Sequence, residues 1–321
     1  MPNWKDVLAE INAEAGGNPN KIGPAIDSIR RKYLNSLFEY TKRNVVAYYS
    51  GWQQHPKASS ANVNDKDMAG LMLAVHQLEK DKGLDLILHT PGGDVAATES
   101  MVLYLKSIFG DNIRAIVPQL AMSAGTMIAL STNAIIMGKH SSLGPIDPQI
   151  GGVPAEGVLK EFERARQEIL SDPNAAGYWQ FILQKYHPTF LSSCQQAIDM
   201  SRELVREWLA ENMCQRDITL VDPIVKHFSN HEETKMHARH IMIDFCQSLN
   251  MNIIPLEEDD DLQDLVLTTH HTFMHTFSRS AAVKIIENHR GIAFIESEGH
   301  MQMGPIQIAP GQFLPPIFPP Q

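Results

Sequence analysis

Cysteine is scarce: Cys194, Cys214 and Cys246 are the only three in 321 residues. They are odd in number and form no CxxC pair, which argues against a disulfide framework and a structural zinc site. Reduced thiols in a reducing compartment are the expectation. Long apolar runs are also missing, and none approaches the roughly 18 residues of a membrane-spanning helix. The N-terminal stretch MPNWKDVLAEINAEAGG carries charges where a signal peptide keeps its apolar segment. A cytoplasmic protein with no integral membrane segment is therefore expected. Basic residues are outnumbered, 27 Lys and Arg against 37 Asp and Glu, for a net charge of −10. They are scattered rather than gathered in a stripe, so nucleic acid is not an expected partner. No GxxxxGK[ST] motif occurs, so any ATP-driven unfolding would come from a partner ATPase. His227, His231, His237 and His240 fall close together, but without an HExxH or a nearby cysteine they read as packing or subunit-contact residues. Neither a metal nor another cofactor is expected.

What is present is ample apolar material, 43% of residues, enough for a sizeable core. Residues 1–43 read as a helical segment with mixed charge. Asn44–Ser50 is β-branched and aromatic, the composition of a strand. Residues 67–80 return to helical spacing, Leu84–His89 is a short apolar run, and Asp94 can cap a helix that Gly110 stops. Ile113–Val117 and Ala134–Met137 are further strands, with a helix at Ser123–Ser131 between them. This alternation is the α/β signature, a parallel sheet covered by helices, and it occupies roughly 44–150. From 151 to 295 the pattern turns mostly helical, over 155–170, 195–213, 222–250 and 262–289, with one strand at Ile292–Ile295. The segment 296–321 is rich in proline and reads as an extended or disordered tail.

Two turns carry the chemistry. Ala121-Met122-Ser123-Ala124-Gly125-Thr126 puts a serine between a strand and a helix, among small residues that allow close approach of a substrate backbone. It nearly matches the GxSxG elbow but lacks the first glycine. Alone, such a serine reads equally as an N-cap. The second turn, Thr90-Pro91-Gly92-Gly93, ends the preceding strand thirty residues upstream. In a parallel sheet both turns emerge on the edge where active sites gather. The N–H groups of Gly93 and Ala124 can then serve one oxyanion hole, with Ser123 as nucleophile.

TPGGDV, AMSAGT and the following Ser142-Leu143-Gly144-Pro145-Ile146-Asp147-Pro148-Gln149 together resemble the serine dehydrogenase proteinase family. That family is itself similar to signal peptide peptidase A and, more distantly, to the Clp proteolytic subunit. Ala281–His289 and Thr234–Ile241 look like the same family, so the resemblance runs from about 44 to 295. It implies a Clp protease/crotonase-like repeated β-β-α fold with a helical C-terminal extension. It also implies a serine endopeptidase acting on peptides or unfolded proteins, Ser123 as nucleophile, and Gly93 with Ala124 as oxyanion donors. By fold analogy a homo-oligomer is expected, with residues 185–250 as the oligomerising helices.

The general base departs from the Clp pattern. Clp-type enzymes carry a histidine on the strand after the serine, but the corresponding stretch around Asp147 and Pro148 has none, and His140 falls at a turn. Enzymes related to signal peptide peptidase A use a Ser–Lys dyad, which makes Lys160, Lys185 and Lys139 the candidates. Lys160, near the start of a helix that would fold back over the site, is preferred. Lys185, in a stretch rich in aromatic residues, is the fallback. A lysine base must be neutral near pH 7, a drop of about three units or roughly 4 kcal/mol, which burial supplies and the neighbouring Glu161 opposes. Two other readings stand beside the peptidase. An α/β-hydrolase esterase would use His89–Gly93 as its hole and need an Asp and a His on later strands. A non-catalytic scaffold of the same fold would need no base at all.

Overall fold

The computed structural model describes residues 4–229, 239–298 and, for the backbone, 300–303. The chain is α/β, built on an eight-stranded mixed sheet. Its strands are β1 (Asn44–Ser50), β2 (Leu84–His89), β3 (Ile113–Val117), β5 (Ala134–Met137), β10 (Ile253–Pro255), β11 (Ala282–Asn288), β12 (Ala293–Ser297) and β13 (His300–Met303). They lie in the order β10-β5-β3-β2-β1-β11-β12-β13. The first five in that order are mutually parallel, and β11, β12 and β13 add an antiparallel meander at β1. A small second sheet joins β4 (Leu120–Ala121), β6 (Ser142–Leu143) and β9 (Ile241–Met242), and β7 (Gln149–Ile150) pairs with β8 (Val153–Pro154) as a hairpin.

The period of two along each strand divides the apolar residues between two cores. Val46 and Tyr48 of β1, Leu84, Leu86 and Leu88 of β2, and Ala115 and Val117 of β3 face one core. Val45, Ala47 and Tyr49, Ile87 and Ile116 face the other. The first core is closed by α3 (Asp67–Val75), α4 (Val95–Phe109), α5 (Ala124–Leu130), α8 (Phe190–Glu211) and α9 (Ile218–Ser229). The second is closed by α2 (Ile22–Thr41) and the long helix Asp260–Arg279. Because α3, α4 and α5 cross over on the same face, each new parallel strand is laid down beside the last. A buried ion pair ties α2 to the sheet: Arg30 Nε lies 2.5 Å from Glu287 Oε2, with both side chains fully buried. α1 (Trp4–Glu14) packs on α2 through Val7, Ile11, Ile26 and Ile29. α6 (Ala155–Ser171) joins the first half of α8 around a separate small core of Ala155, Val158, Cys194 and Ile198, and α7 (Ala175–Leu183) packs on α6.

The three strands expected within 84–137 and the helix capped by Asp94 lie where the sequence places them; Asp94 Oδ1 accepts from the Ala97 N–H at 2.8 Å. The C-terminal half differs. The helix expected over 262–289 ends at Arg279, and the residues after Ala281 form β11, buried along its whole length. Its Lys284, Glu287 and Asn288 suggest a solvated helix face, but each is paired in the interior with Asp67, Arg30 and the Ala74 carbonyl. Within 222–250 the described residues give α9 to Ser229, then β9 and the short helix Ile243–Ser248, and β10 follows at 253. The sheet is thus completed from outside 44–150. The Pro-rich stretch from 304 onward lies outside the described residues, as do His231, His237 and most of the stretch 234–241.

Candidate active site

β3 runs through β4 into Ser123, which turns sharply into α5. The Ser123 backbone is left-handed, φ 51° and ψ −116°, a conformation costing an L-residue of order 1–3 kcal/mol that persists only where the surroundings impose it. The surroundings are explicit. The Thr90 carbonyl accepts from the Met122 N–H at 3.0 Å, and the Thr90 N–H donates to the Leu120 carbonyl at 3.0 Å, fastening the end of β2 to β4. The Thr126 hydroxyl donates to the Ala121 carbonyl at 2.7 Å and accepts from the Gly144 N–H at 2.8 Å. Gly125 packs closely on the other turn, since a Cβ there would stand 2.4 Å from Thr90 Cγ2 and force that side chain to shift. The Ser123 side chain does not cap α5, and its half-buried Oγ has no hydrogen-bond partner among the described residues. Ser123 thus stands at the N-cap position without capping by its side chain: it is a strained serine whose hydroxyl is unengaged among the described residues.

The PGG turn is packed on that serine. Gly92 has φ +95°, and a Cβ on it would lie 2.6 Å from Ser123 Cβ, 2.7 Å from the Met122 carbonyl oxygen and 2.8 Å from Ala124 N. Gly93, at φ +156°, is equally tight against Val63, whose N and O atoms would each be 2.4 Å from an added Cβ. Val63 pairs with this turn as a parallel bridge. Its N–H donates to the Gly92 carbonyl at 2.8 Å, and its carbonyl accepts from the Asp94 N–H at 2.9 Å. Main-chain groups alternate in direction along an extended strand, so the N–H and carbonyl of Gly93 itself point away from Val63. Ala124 is the first residue of α5, where the N–H has no carbonyl one turn earlier to receive it. Strand-end serine, double glycine and a helix-start amide thus meet at the carboxyl ends of β2 and β3.

Residues 61–176 match the ClpP-like SDH-type serine proteinase family. The matched stretch takes in both turns, Gly92–Gly93 and Ser123–Ala124, and also Lys160, but ends before Lys185. Similar proteins include two uncharacterized proteins of Methanocaldococcus jannaschii, MJ0137 and MJ1495. MJ0137 is 43% identical over 107 residues, 33% of this chain and 37% of that protein. MJ1495 is 38% identical over 104 residues, 32% of this chain and 35% of that protein. The chain thus spans little more than a third of the length of these curated relatives.

The remaining candidate residues are dispersed. Lys160 lies on α6, 42% exposed, with Nζ 3.1 Å from Glu156 Oε1, in a groove shared with Leu159, Ile198 and Arg202. Lys185 is exposed just after α7. Neither is hydrogen-bonded to Ser123 Oγ. Lys139 donates its backbone N–H to Glu257, and the neighbouring His140 ring packs over Gly138. The His227 ring packs tilted against that of Phe245, 4.0 Å between centroids, while His240 Nδ1 meets Ser142 Oγ at 2.7 Å. His89 faces the second core, its ring 4.4 Å from that of Trp52 and 5.0 Å from that of His270. It therefore lines no hole with Gly93, and burial pushes its imidazole down to about 3. Sequence reasoning missed Val63, Thr90 and Thr126 as supports of the site. Thr90 and Thr126 sit inside the two motifs and were within reach; Val63, in a polar loop, gave no signal.

Proposed function

We propose that this chain is a serine endopeptidase in which Ser123 attacks the scissile carbonyl. The observation that carries the reading is the left-handed Ser123, its Oγ unengaged, pressed against Gly92 by the Gly92–Gly93 turn. In the reaction Ser123 Oγ adds to the carbonyl carbon and its proton passes to a neutral lysine. The N–H groups of Gly93 and Ala124 stabilise the oxyanion, a contribution of about 10²- to 10³-fold for each donor. Collapse expels the amine, which takes the proton from the lysine, and water then releases the acyl group from Ser123. We assign the proton acceptor to Lys160, with Lys185 as the alternative. Supporting Lys160 is its helix, which begins directly after the β7–β8 hairpin that follows the Ser142–Asp147 segment; Gly144 of that segment is packed on Met122. To act as base, Lys160 leaves Glu156, gives up its own proton to solvent and turns toward Ser123 when substrate binds, since catalytic hydrogen bonds tighten in the complex.

The proposal extends to a Clp/crotonase-type repeated β-β-α core, supported by the one-sided crossovers of α3, α4 and α5. It extends also to extended peptides or unfolded proteins as substrates, a homo-oligomeric assembly, and a cytoplasmic setting. No helix among the described residues is long and apolar enough to cross a membrane. The test is labelling of the native protein with a fluorophosphonate, with the modified residue mapped by mass spectrometry. Labelling at Ser123, and its loss together with peptidase activity in Ser123→Ala, is expected. Full peptidase activity in Ser123→Ala would overturn the assignment, and a folded native protein that resists the probe would leave a scaffold of this fold.

A further inference from the structure

Beneath the glycine turn lies a polar cluster that the reaction does not touch. Lys284 of β11 and Asp67 at the start of α3 are both fully buried, with Nζ 2.6 Å from Oδ1. Asp67 Oδ2 accepts from the Tyr48 hydroxyl at 2.7 Å and from the Asn64 N–H at 2.9 Å. Lys284 Nζ also donates to the Asn62 carbonyl at 2.7 Å. One step earlier, Ser50 Oγ donates to the Ala61 carbonyl at 2.6 Å. The pair therefore grips the main chain on both sides of Val63, at the Asn62 carbonyl and at the Asn64 N–H. With those groups held inward, the N–H and carbonyl of Val63 face the other way, onto Gly92 and Asp94.

A fully buried lysine–aspartate pair is a weak device for stability, because desolvation consumes much of its Coulombic gain and apolar replacements often serve as well. Its directional hydrogen bonds are what an apolar pair would not reproduce. Here they converge on one short segment, whose Val63 buries its side chain in the first core and whose main chain aligns the glycine turn.

We infer that the Lys284–Asp67 pair positions the oxyanion donor, by clamping Asn62–Asn64 so that Val63 sets the orientation of the Gly93 N–H. The inference rests on the hydrolase reading above, and it makes Lys284 and Asp67 positioning residues, not catalytic ones. Neither touches Ser123. Their effect runs through Val63 to Gly93, so it falls on the acylation step and leaves ground-state binding little changed.

The test is the double variant Lys284→Met/Asp67→Asn, which leaves no buried charge unpaired and keeps an amide oxygen for the Asn64 N–H; Lys284→Met alone is its companion. Active sites are counted by burst titration, so that misfolded protein drops out, and the acylation rate is read per titrated site. The expected result is a fall of roughly 10- to 100-fold in that rate with KM changed less than about threefold, the range of a misplaced oxyanion donor. Amide hydrogen exchange at Val63 and Asp94 should quicken in the double variant. A wild-type rate per site in the double variant overturns the inference while leaving the hydrolase reading intact. If the wild type itself fails to acylate, the hydrolase reading falls. The exchange rates then decide the clamp alone, and unchanged protection at Val63 and Asp94 overturns it.

Discussion

Replacing Gly92 by alanine puts a single methyl group where the site has no room. The Cβ would lie 2.6 Å from Ser123 Cβ, 2.7 Å from the Met122 carbonyl and 2.8 Å from Ala124 N. Carbon contacts relax only near 3.5 Å, so the turn or the elbow must move by roughly 0.7–0.9 Å. Neither neighbour is the flexible end of a side chain, and Thr90 holds both the elbow and the glycine turn. The folding cost combines about 1–2 kcal/mol for an L-residue in left-handed backbone with about 1–3 kcal/mol of overpacking. The total, about 2–5 kcal/mol, is below the 5–15 kcal/mol typical of a folded domain, so the variant should still fold. Catalysis should suffer more. A displacement approaching 1 Å at a reacting group costs about 10²-fold, and here it strikes the proposed nucleophile and the proposed Ala124 donor together. Gly16→Ala is the matched control, because Gly16 also has positive φ, +58°, but nothing within 4 Å of its added Cβ. Thermal melts and fluorophosphonate acylation rates, measured per titrated site, separate the two effects. Gly92→Ala is expected to lose about 10²-fold in rate, while Gly16→Ala loses only about 1–2 kcal/mol of stability. Acylation of Gly92→Ala within twofold of wild type would refute the placement of the glycine turn against the nucleophile.

Lys160→Ala should abolish labelling of Ser123, while the half-exposed ion pair it removes with Glu156 contributes at most about 1 kcal/mol to stability. Labelling lost instead in Lys185→Ala would move the base there, and labelling retained in both would remove the Ser–Lys dyad. Acid should weaken the fold through His89, whose folded-state value of about 3 lies below its ordinary 6.5 because the ring is buried. Between those values only the unfolded chain binds the proton, so the contribution is complete above pH 6.5 and is lost as pH falls toward 3. At pH 5 the loss from this residue is about 2 kcal/mol, at about 1.4 kcal/mol per unit. Urea midpoints at pH 7 and pH 5 measure it, and an undiminished pH dependence in His89→Phe would show that other groups are responsible.

The amino-acid sequence by itself determined four of the five parallel strands of this protein, β10 being the exception. The apolar runs of β1, β2, β3 and β5, the capping Asp94 and the stop at Gly110 are local signals, and local signals sufficed because each strand has apolar residues for both cores. It also placed Ser123 and the glycine turn at one sheet edge, which follows from parallel topology alone. Tertiary structure decided the rest. In β11, Lys284 and Glu287 carry charges that a single chain segment offers only to solvent; their burial depends on Asp67 and Arg30, more than 200 residues away in sequence. The support of the glycine turn by Val63 likewise arises from a bridge between two loops, a contact with no sequence period. Whether the serine side chain caps its helix was settled only by its conformation, which Thr90 imposes from the glycine turn and Gly125 and Thr126 from within its own. Periodicity reports which face of an element is apolar; the partner of a buried charge, and the direction of a strained side chain, belong to the folded whole.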